Sequence, residues 1–132
     1  MYLKEKSEFN IASAEILYTQ NYYAPSVHCA YYACFQLMKH IISERFHISY
    51  EEQEAETRAS NNPNTHSYVI GKIRNEIRSD RERFREINYQ LGDLRNFRNK
   101  ADYDNIQIDS ELSDKAIRFS KNLLGYLTEK LL

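Results

Sequence analysis

The chain has 132 residues, a formal net charge of −1 and 28 % charged residues, and this balance does not single out a polyanion or an acidic membrane as partner. Its length predicts a single domain over residues 1–132. Glycine (3) and proline (2) are scarce and tryptophan is absent, which favours an all-α fold, because the tight turns of β-rich proteins need more such residues. The 11 tyrosines predict phenol rings in half-exposed positions between helices, with an aromatic interaction surface as the alternative.

The apolar periodicity predicts an up-and-down bundle of four main helices plus a short extra helix. The first helix covers residues 2–20, and its apolar face is predicted to hold Leu3, Phe9, Ala12, Ile16 and Leu17. The second helix has Pro25 in its first turn and runs to about Phe46. It is apolar almost all round in its first half, which predicts that it is the central and most buried helix.

Capping residues predict where the later helices begin. The predicted starts are Ser49 for a short helix, Asn64 or Thr65 for the third long helix, a capping box at 79–82 for the fourth, and Asp109 or Ser110 for the last. The sequence leaves open whether the third and fourth helices are separate or form one bent rod.

The two cysteines, Cys29 and Cys34, are five residues apart in the second helix. Five residues turn a helix through roughly 500°, so the two thiols point apart and are predicted to be reduced packing residues of a cytoplasmic protein. No signal segment opens the chain, and no apolar run approaches the ~20 residues of a membrane span. The sequence therefore predicts no membrane association.

Several kinds of site are excluded by their missing motifs. The four histidines (His28, His40, His47 and His66) include no pair four residues apart and no H-E-x-x-H, so we expect no metal. The three glycines lie apart within helical stretches, which excludes a phosphate-cradling P-loop or a Rossmann turn. We expect no cofactor.

An arginine interrupts the apolar seam of the fourth helix. Leu91 and Leu94 lie on that seam, and the same spacing continues to Arg98 and Ala101. Burying a guanidinium without a partner costs several kcal/mol. Arg98 is therefore predicted either to face a cleft or to form a structural ion pair with Asp102, one turn away, bonded to a tyrosine of the second helix.

Three elements of the sequence together resemble the HEPN superfamily of small helical bundles. They are the A-Y-Y-A segment Ala30–Ala33 within residues 25–35, the histidine that opens the third helix, His66, and the R-x-x-A-D-Y segment made by Arg98 and residues 101–103. The R-x-x-A-D-Y form is similar to the branch found beside, or fused to, minimal nucleotidyltransferases. The resemblance implies a HEPN-like fold, a homodimer, and a toxin-antitoxin or defence-type system with a nucleotidyltransferase protein as partner.

Many HEPN proteins are ribonucleases with an Arg-Asn pair and a histidine four to six residues after the arginine, and dimerisation brings two such sites into one cleft. Arg98 and Asn99 match the first half, but Tyr103 lies where the histidine is expected. A phenol with an unperturbed pKa of about 10 does not replace an imidazole as a base at pH 7. The resemblance thus implies a non-catalytic or weakly catalytic bundle that binds a nucleotide or RNA phosphate, or a nucleotidyltransferase partner. The implied ligand-binding residues are Tyr32, Arg95, Arg98, Asn99, Asp102 and Tyr103.

Two other functions fit the same residues. In the first, the chain is an active metal-independent ribonuclease in which Arg98 holds the phosphate and His28 or His66 transfers the proton. In the second, the chain is a protein-interaction adaptor in which tyrosine-rich faces form the interface and Arg98 is purely structural.

Overall fold

The computed structural model describes residues 2–61 and 63–132. This part of the chain is an all-α bundle of six helices with no β-strand. The helices are α1 (Tyr2–Thr19), α2 (Tyr23–Phe46), α3 (Tyr50–Ala59), α4 (Thr65–Ile77), α5 (Phe84–Tyr103) and α6 (Ser110–Leu131).

Helix α2 is the centre of the bundle and packs against α1, α4, α5 and α6. It contributes Tyr31, Met38, Ile41 and Ile42 to the fully buried side chains of the core. The prediction that this helix is the most enclosed one is confirmed, because an apolar surface on nearly every side requires neighbours on nearly every side.

Side-chain caps start three of the helices where the sequence predicted them. A side-chain oxygen at each cap accepts a backbone N–H two or three residues into the helix, which satisfies a donor that has no partner within the helix. The caps are Ser49 for α3, Asn64 for α4 and Asp109 for α6, and they accept the N–H groups of Glu52, Ser67 and Leu112.

The predicted start of the fourth long helix is wrong by about four residues. Helix α4 ends at Ile77 and α5 begins at Phe84, so the two are separate helices rather than one rod. Asp80 caps the turn between them by accepting the N–H of Arg83 (3.3 Å), and its other oxygen accepts the hydroxyl of Tyr126 (2.7 Å) on α6. The described residues thus contain five long helices and a short one, whereas the sequence predicted four main helices and a short one.

Helix α1 packs with a face that coincides only in part with the predicted one, since Leu3 and Leu17 of the predicted set are half-buried. Its buried residues are Ser7 and Ala14. The Ser7 hydroxyl donates to the carbonyl of Ala33 (2.6 Å), and the Ser26 hydroxyl donates to the carbonyl of Ala14 (2.7 Å), so small residues hold α1 close to α2. The predicted core residues Phe9, Ala12 and Ile16 lie on the solvent side with Tyr2. We call these four residues the outer stripe.

The described part of the chain contains neither a membrane-spanning helix nor a metal-binding cluster. None of the six helices is both long enough and apolar enough to cross a bilayer. Between residues 2 and 132, Asn62 aside, no group of three or more His, Cys, Asp or Glu side chains is placed to hold a metal ion.

Candidate functional site

Arg98 is the most deeply buried charged residue of the site and is almost fully hydrogen-bonded. Only 7 % of its surface is exposed, at the interface of α5 with α2. Four of the five N–H groups of a guanidinium are used. Nε donates to Asp102 Oδ2 (3.0 Å), Nη1 to Asn99 Oδ1 (3.2 Å), and Nη2 to the hydroxyls of Tyr32 (2.6 Å) and Tyr103 (3.0 Å). The predicted contacts with Asp102 and with a tyrosine of the second helix are confirmed.

Three phenol rings surround the same guanidinium. The Arg98 Cζ atom lies 5.4 Å from the ring centroid of Tyr31, 5.2 Å from that of Tyr32 and 5.1 Å from that of Tyr103. A cation at this distance is attracted to an aromatic ring, the more so where water is excluded. Since Tyr32 and Tyr103 also accept hydrogen bonds from Arg98, the hydrogen of each hydroxyl stays available to a further acceptor.

Asp102 joins Arg98 to a histidine. Its Oδ2 atom accepts from Arg98 Nε at 3.0 Å and lies 2.9 Å from Nδ1 of His28, whose distance to Oδ1 is 3.0 Å. An ionised carboxylate only accepts, so Nδ1 carries the hydrogen and a neutral His28 has its lone pair on Nε2. The His28 side chain is 47 % exposed, and Nε2 has no hydrogen-bond partner in the described part of the chain.

His66 is held differently. Its Nδ1 lies 2.7 Å from the hydroxyl of Tyr31, and its ring stacks on Phe35 with 4.5 Å between centroids. Burial, followed by the charges of Arg98 and Arg95, lowers the pKa of His66 to about 4. His66 is therefore neutral at pH 7 and belongs to the aromatic packing behind Arg98.

Arg95 ties α5 to the start of α4. Its Nη1 donates to the Ser67 hydroxyl (3.2 Å) and its Nη2 to Asn64 Oδ1 (3.2 Å), the same oxygen that caps α4. Of the six implied ligand-binding residues, the structure brings Tyr32, Arg98, Asn99, Asp102 and Tyr103 into one hydrogen-bonded cluster. Arg95 lies outside this cluster, and its charge acts on Tyr31 and His66.

An open groove of about 490 Å³ runs past the cluster between the start of α2 and the end of α5. Its lining includes Pro25, His28 and Cys29 from α2, with Ala101, Asp102 and Tyr103 from α5. Burial, and secondarily the charge of Asp102, raises the pKa of the Cys29 thiol, so this thiol stays protonated and is a poor nucleophile. Of the side chains that line the groove, His28 and Tyr103 can donate a hydrogen bond to a ligand, whereas the carboxylate of Asp102 only accepts.

The contact between His28 and Asp102 was missed by the sequence reasoning, although the sequence contains a signal for it. His28 and Tyr32 are four residues apart on α2, and Arg98 and Asp102 are four apart on α5. If Tyr32 meets Arg98 and the two helices run antiparallel, the next turn of each helix places His28 opposite Asp102. The two pairs of residues together therefore predict the cluster better than either does alone.

Comparison with protein-family models, with curated proteins and with solved structures finds no match to this chain. The resemblance to HEPN proteins therefore depends on the segments around Tyr31 and Arg98 and on His66.

Proposed function

We propose that this chain is a HEPN-like helical bundle that binds a phosphate group of RNA or of a nucleotide in the groove beside Arg98. The observation that carries the proposal is the shared carboxylate of Asp102, which contacts both Arg98 (3.0 Å) and His28 (2.9 Å). This contact fixes the imidazole so that Nε2 is directed away from the carboxylate. An oriented histidine in the groove wall, with the buried positive charge of Arg98 behind Asp102 and Tyr103, forms a suitable environment for an anionic oxygen.

The phosphate is held first by groups at the rim and only then by Arg98. The Tyr103 hydroxyl, which accepts from Arg98, has its own hydrogen free to donate to a phosphate oxygen, and a protonated His28 donates from Nε2. The beginning of α2 lines the same groove and adds the positive end of a helix dipole. Direct contact with Arg98 requires Tyr103 to swing aside, which its 71 % exposed side chain at the last residue of α5 permits.

The binding experiment uses a fluorescein-labelled, unstructured 12-nucleotide RNA and follows fluorescence anisotropy without added metal. His28→Asn is the informative variant, because an asparagine amide retains a donor near the position of Nδ1 and removes Nε2. We expect this variant to bind RNA about tenfold more weakly, which is the loss of one good hydrogen bond to a charged group. His47→Asn, at an exposed histidine after α2, is the matched control and is expected to bind within about twofold of the parent chain.

Two further results complete the binding test. Affinity is expected to fall as salt increases, because phosphate contacts release counterions. Tyr103→Phe removes only the hydroxyl that Arg98 bonds, and we expect a loss similar to that of His28→Asn. Equal RNA affinity for the parent chain, His28→Asn and Tyr103→Phe would contradict the proposed position of the phosphate.

Metal-independent RNA cleavage is the second candidate, and one observation favours it. His28 lies on Asp102, so an oriented imidazole is present even though Tyr103 occupies the position of the family's histidine. In this reaction Nε2 takes the proton of a ribose 2′-hydroxyl, whose oxygen attacks the adjacent phosphorus, and the 5′-oxygen leaves with a proton from water or from the protonated imidazole. His66 is less suited as the base, because its pKa is about 4 and Nδ1 is occupied by Tyr31.

Cleavage is tested by incubating labelled transfer RNA and unstructured RNA with the protein in the presence of EDTA. Fragments ending in a 2′,3′-cyclic phosphate that disappear with His28→Asn and persist with His47→Asn would support this candidate. RNA that stays intact while it binds in a His28-dependent manner would support the binding function alone.

A further inference from the structure

Helix α1 presents three large apolar side chains to solvent. Tyr2, Phe9 and Ile16 are 75 %, 69 % and 63 % exposed. They are seven residues apart, which places them on one face of the helix, and Ala12 lies on the same face. The fully buried residues of α1 are the small Ser7 and Ala14, and Leu3, Leu17 and Tyr18 are half-buried. The helix therefore keeps apolar side chains on its outer face as well as on the side that packs into the bundle.

The size of this surface is typical of the centre of an interface. Aromatic side chains contribute about 150–250 Å² each when buried, so the exposed parts of the three large residues add up to roughly 400 Å². A standard interface buries about 800 Å² on each partner, with an apolar centre and a polar rim. The outer stripe is large enough to form the apolar centre of such an interface, and the flanking polar residues of α1 would form its rim.

We propose that the outer stripe is a self-association surface, at which α1 packs antiparallel against α1 of a second copy of this chain. The spacing of the stripe is what selects a second copy as the occupant. Phe9 lies midway between Tyr2 and Ile16, seven residues from each. A two-fold axis through Phe9 therefore places Phe9 against its own copy and Tyr2 against Ile16 of the second copy, so that the patch is complementary to itself.

The charges that border the stripe are compatible with this arrangement. Around a two-fold axis at residue 9, each position meets the position at an equal distance on the other side. Glu5 then lies beside Ser13 of the second copy, and Lys6 lies beside Ala12. Neither charge meets a like charge at these places, so the apolar centre is buried without placing these two charges against a like one.

This association leaves the Arg98 groove open in both copies. Helix α1 packs against α2 and α6, whereas the Arg98 cluster lies where α2 meets α5. The resulting dimer differs from the one implied by the HEPN resemblance, in which two arginine sites share a cleft. The two grooves would instead face outward as independent sites.

Sedimentation equilibrium of the full chain from 5 to 200 μM tests the association. We expect a monomer–dimer equilibrium in the parent chain and a shift of the dimer dissociation constant by at least tenfold in Phe9→Lys. Ile106→Lys is the matched control, because Ile106 is 56 % exposed and lies outside the stripe, and its dissociation constant should not change. Far-UV circular dichroism confirms that both variants are folded. A monomeric parent chain at 200 μM, or a dimer insensitive to Phe9→Lys, would overturn the proposal.

Cysteine cross-linking under mild oxidation tests the direction of packing, with the parent chain as the control for Cys29. Phe9→Cys is expected to form a disulfide-linked dimer. Tyr2→Cys alone should not, but a mixture of Tyr2→Cys and Ile16→Cys should yield the mixed dimer. Efficient cross-linking of Tyr2→Cys with itself would overturn the antiparallel arrangement. A monomer that instead binds phospholipid vesicles in a Phe9-dependent manner would overturn self-association in favour of a lipid surface.

Discussion

Helix α2 meets its two neighbours α1 and α5 in opposite ways. Towards α1 the most buried part of the contact is made of small residues, and the hydroxyls of Ser7 and Ser26 donate to backbone carbonyls of the facing helix. Towards α5 the contact contains a buried guanidinium, Arg98, surrounded by phenol rings and bound to a carboxylate. The two serine bonds hold α1 and α2 close together without involving a charged group. The contact with α5 includes a charge that is tolerated only because each of its partners is present.

This difference indicates where each side of the molecule is sensitive to change. The α2–α5 contact depends on individual hydrogen bonds, so removal of one partner leaves another group buried and unpaired. The outer stripe of α1 makes no comparable contribution to the core, so substitutions there should alter association and leave folding unchanged. The following predictions examine that contrast from the largest expected effect to the smallest.

Asp102→Ala is expected to lower the free energy of unfolding by about 3 kcal/mol, because it leaves the Arg98 charge buried without its anion. Asp114→Ala is the matched control. Asp114 forms the same i,i+4 contact with Arg118 at 2.9 Å, but both side chains are about half exposed. An exposed pair contributes at most about 1 kcal/mol. Urea denaturation followed by far-UV circular dichroism measures both variants, and equal losses would contradict the interpretation of Arg98 as a paired buried charge.

The double variant Arg98→Met with Asp102→Leu separates structure from ligand binding. It removes both charges together, so we expect it to retain more stability than Asp102→Ala alone. If it also retains RNA binding and its response to His28→Asn, Arg98 is purely structural and the adaptor interpretation gains support. If it folds but no longer binds RNA, the cluster is needed for the site.

Tyr32→Phe is expected to cost about 2 kcal/mol of unfolding free energy. The hydroxyl accepts a 2.6 Å hydrogen bond from Arg98, and a bond to a charged group is worth about 1.5–3 kcal/mol. In Tyr23→Phe the lost hydroxyl donates to Asn21 on the surface, so that variant should lose less than about 0.5 kcal/mol. The same urea titrations provide the measurement, and a similar loss in both variants would be inconsistent with a structural role for the Arg98–Tyr32 bond.

The pKa of His66 predicts loss of stability in acid. Because its folded pKa of about 4 lies below that of a free imidazole, about 6.5, the unfolded chain takes up a proton that the folded chain does not. The contribution is complete above about pH 6.5 and is lost as pH falls from there towards 4. Allowing for the partial solvent contact of the ring, we expect a loss of about 1–2 kcal/mol.

The variant His66→Asn isolates this effect, because an amide keeps a polar partner for the Tyr31 hydroxyl and does not titrate. Thermal unfolding at a series of pH values should show the parent chain losing more stability than His66→Asn between pH 7 and pH 4. Parallel pH profiles for the two proteins would show that His66 is not the group responsible.

Phe9→Lys is expected to change the free energy of unfolding by less than about 0.5 kcal/mol, since its side chain lies in solvent. The measurement should be made at about 1 μM protein, where self-association adds least to the apparent stability. Ser7→Leu, on the opposite face of the same helix, should lower the free energy of unfolding by about 1–3 kcal/mol, the usual cost of enlarging a core residue, because it overpacks the contact with Ala33. A larger loss for Phe9→Lys than for Ser7→Leu would reverse the assignment of the two faces.

Local signals in the sequence were sufficient for much of the fold. The caps at Ser49, Asn64 and Asp109 were predictable because capping chemistry involves neighbouring residues only. The enclosure of α2 followed from apolar residues on nearly all its sides. The pairing of Arg98 with Asp102 followed from one turn of helix and from the cost of leaving a guanidinium unpaired.

The errors arose where the choice depended on the neighbouring element. The sequence of α1 offers an apolar face with Phe9 and a small-residue face with Ser7, and hydrophobicity alone selects the first. In the structure the Ser7 side packs on α2, where the serine hydroxyl donates to the carbonyl of Ala33. In the same way Asp80 resembles the start of a helix, but its contact with Tyr126 on α6 makes it part of a turn.

The candidate site was predictable only in part, since its residues come from helices far apart in the sequence. His28 and Asp102 are separated by 74 positions, and no local pattern in either helix predicts their contact. Only the correspondence between the pair His28 and Tyr32 and the pair Asp102 and Arg98 carries that information. Such pairings between helices depend on the packing of the whole bundle.

The separation of these contacts along the chain has a consequence for the order of folding. The hydroxyl bonds between α1 and α2 join residues 12 and 26 positions apart, whereas Tyr32 and Arg98 are 66 positions apart. Short loops close at a lower entropic cost, so the α1–α2 hairpin is expected to form early and the Arg98 cluster late. Substitutions in the cluster should then accelerate unfolding and leave the refolding rate nearly unchanged. The groove would be the last part of the molecule to assemble and the first to come apart.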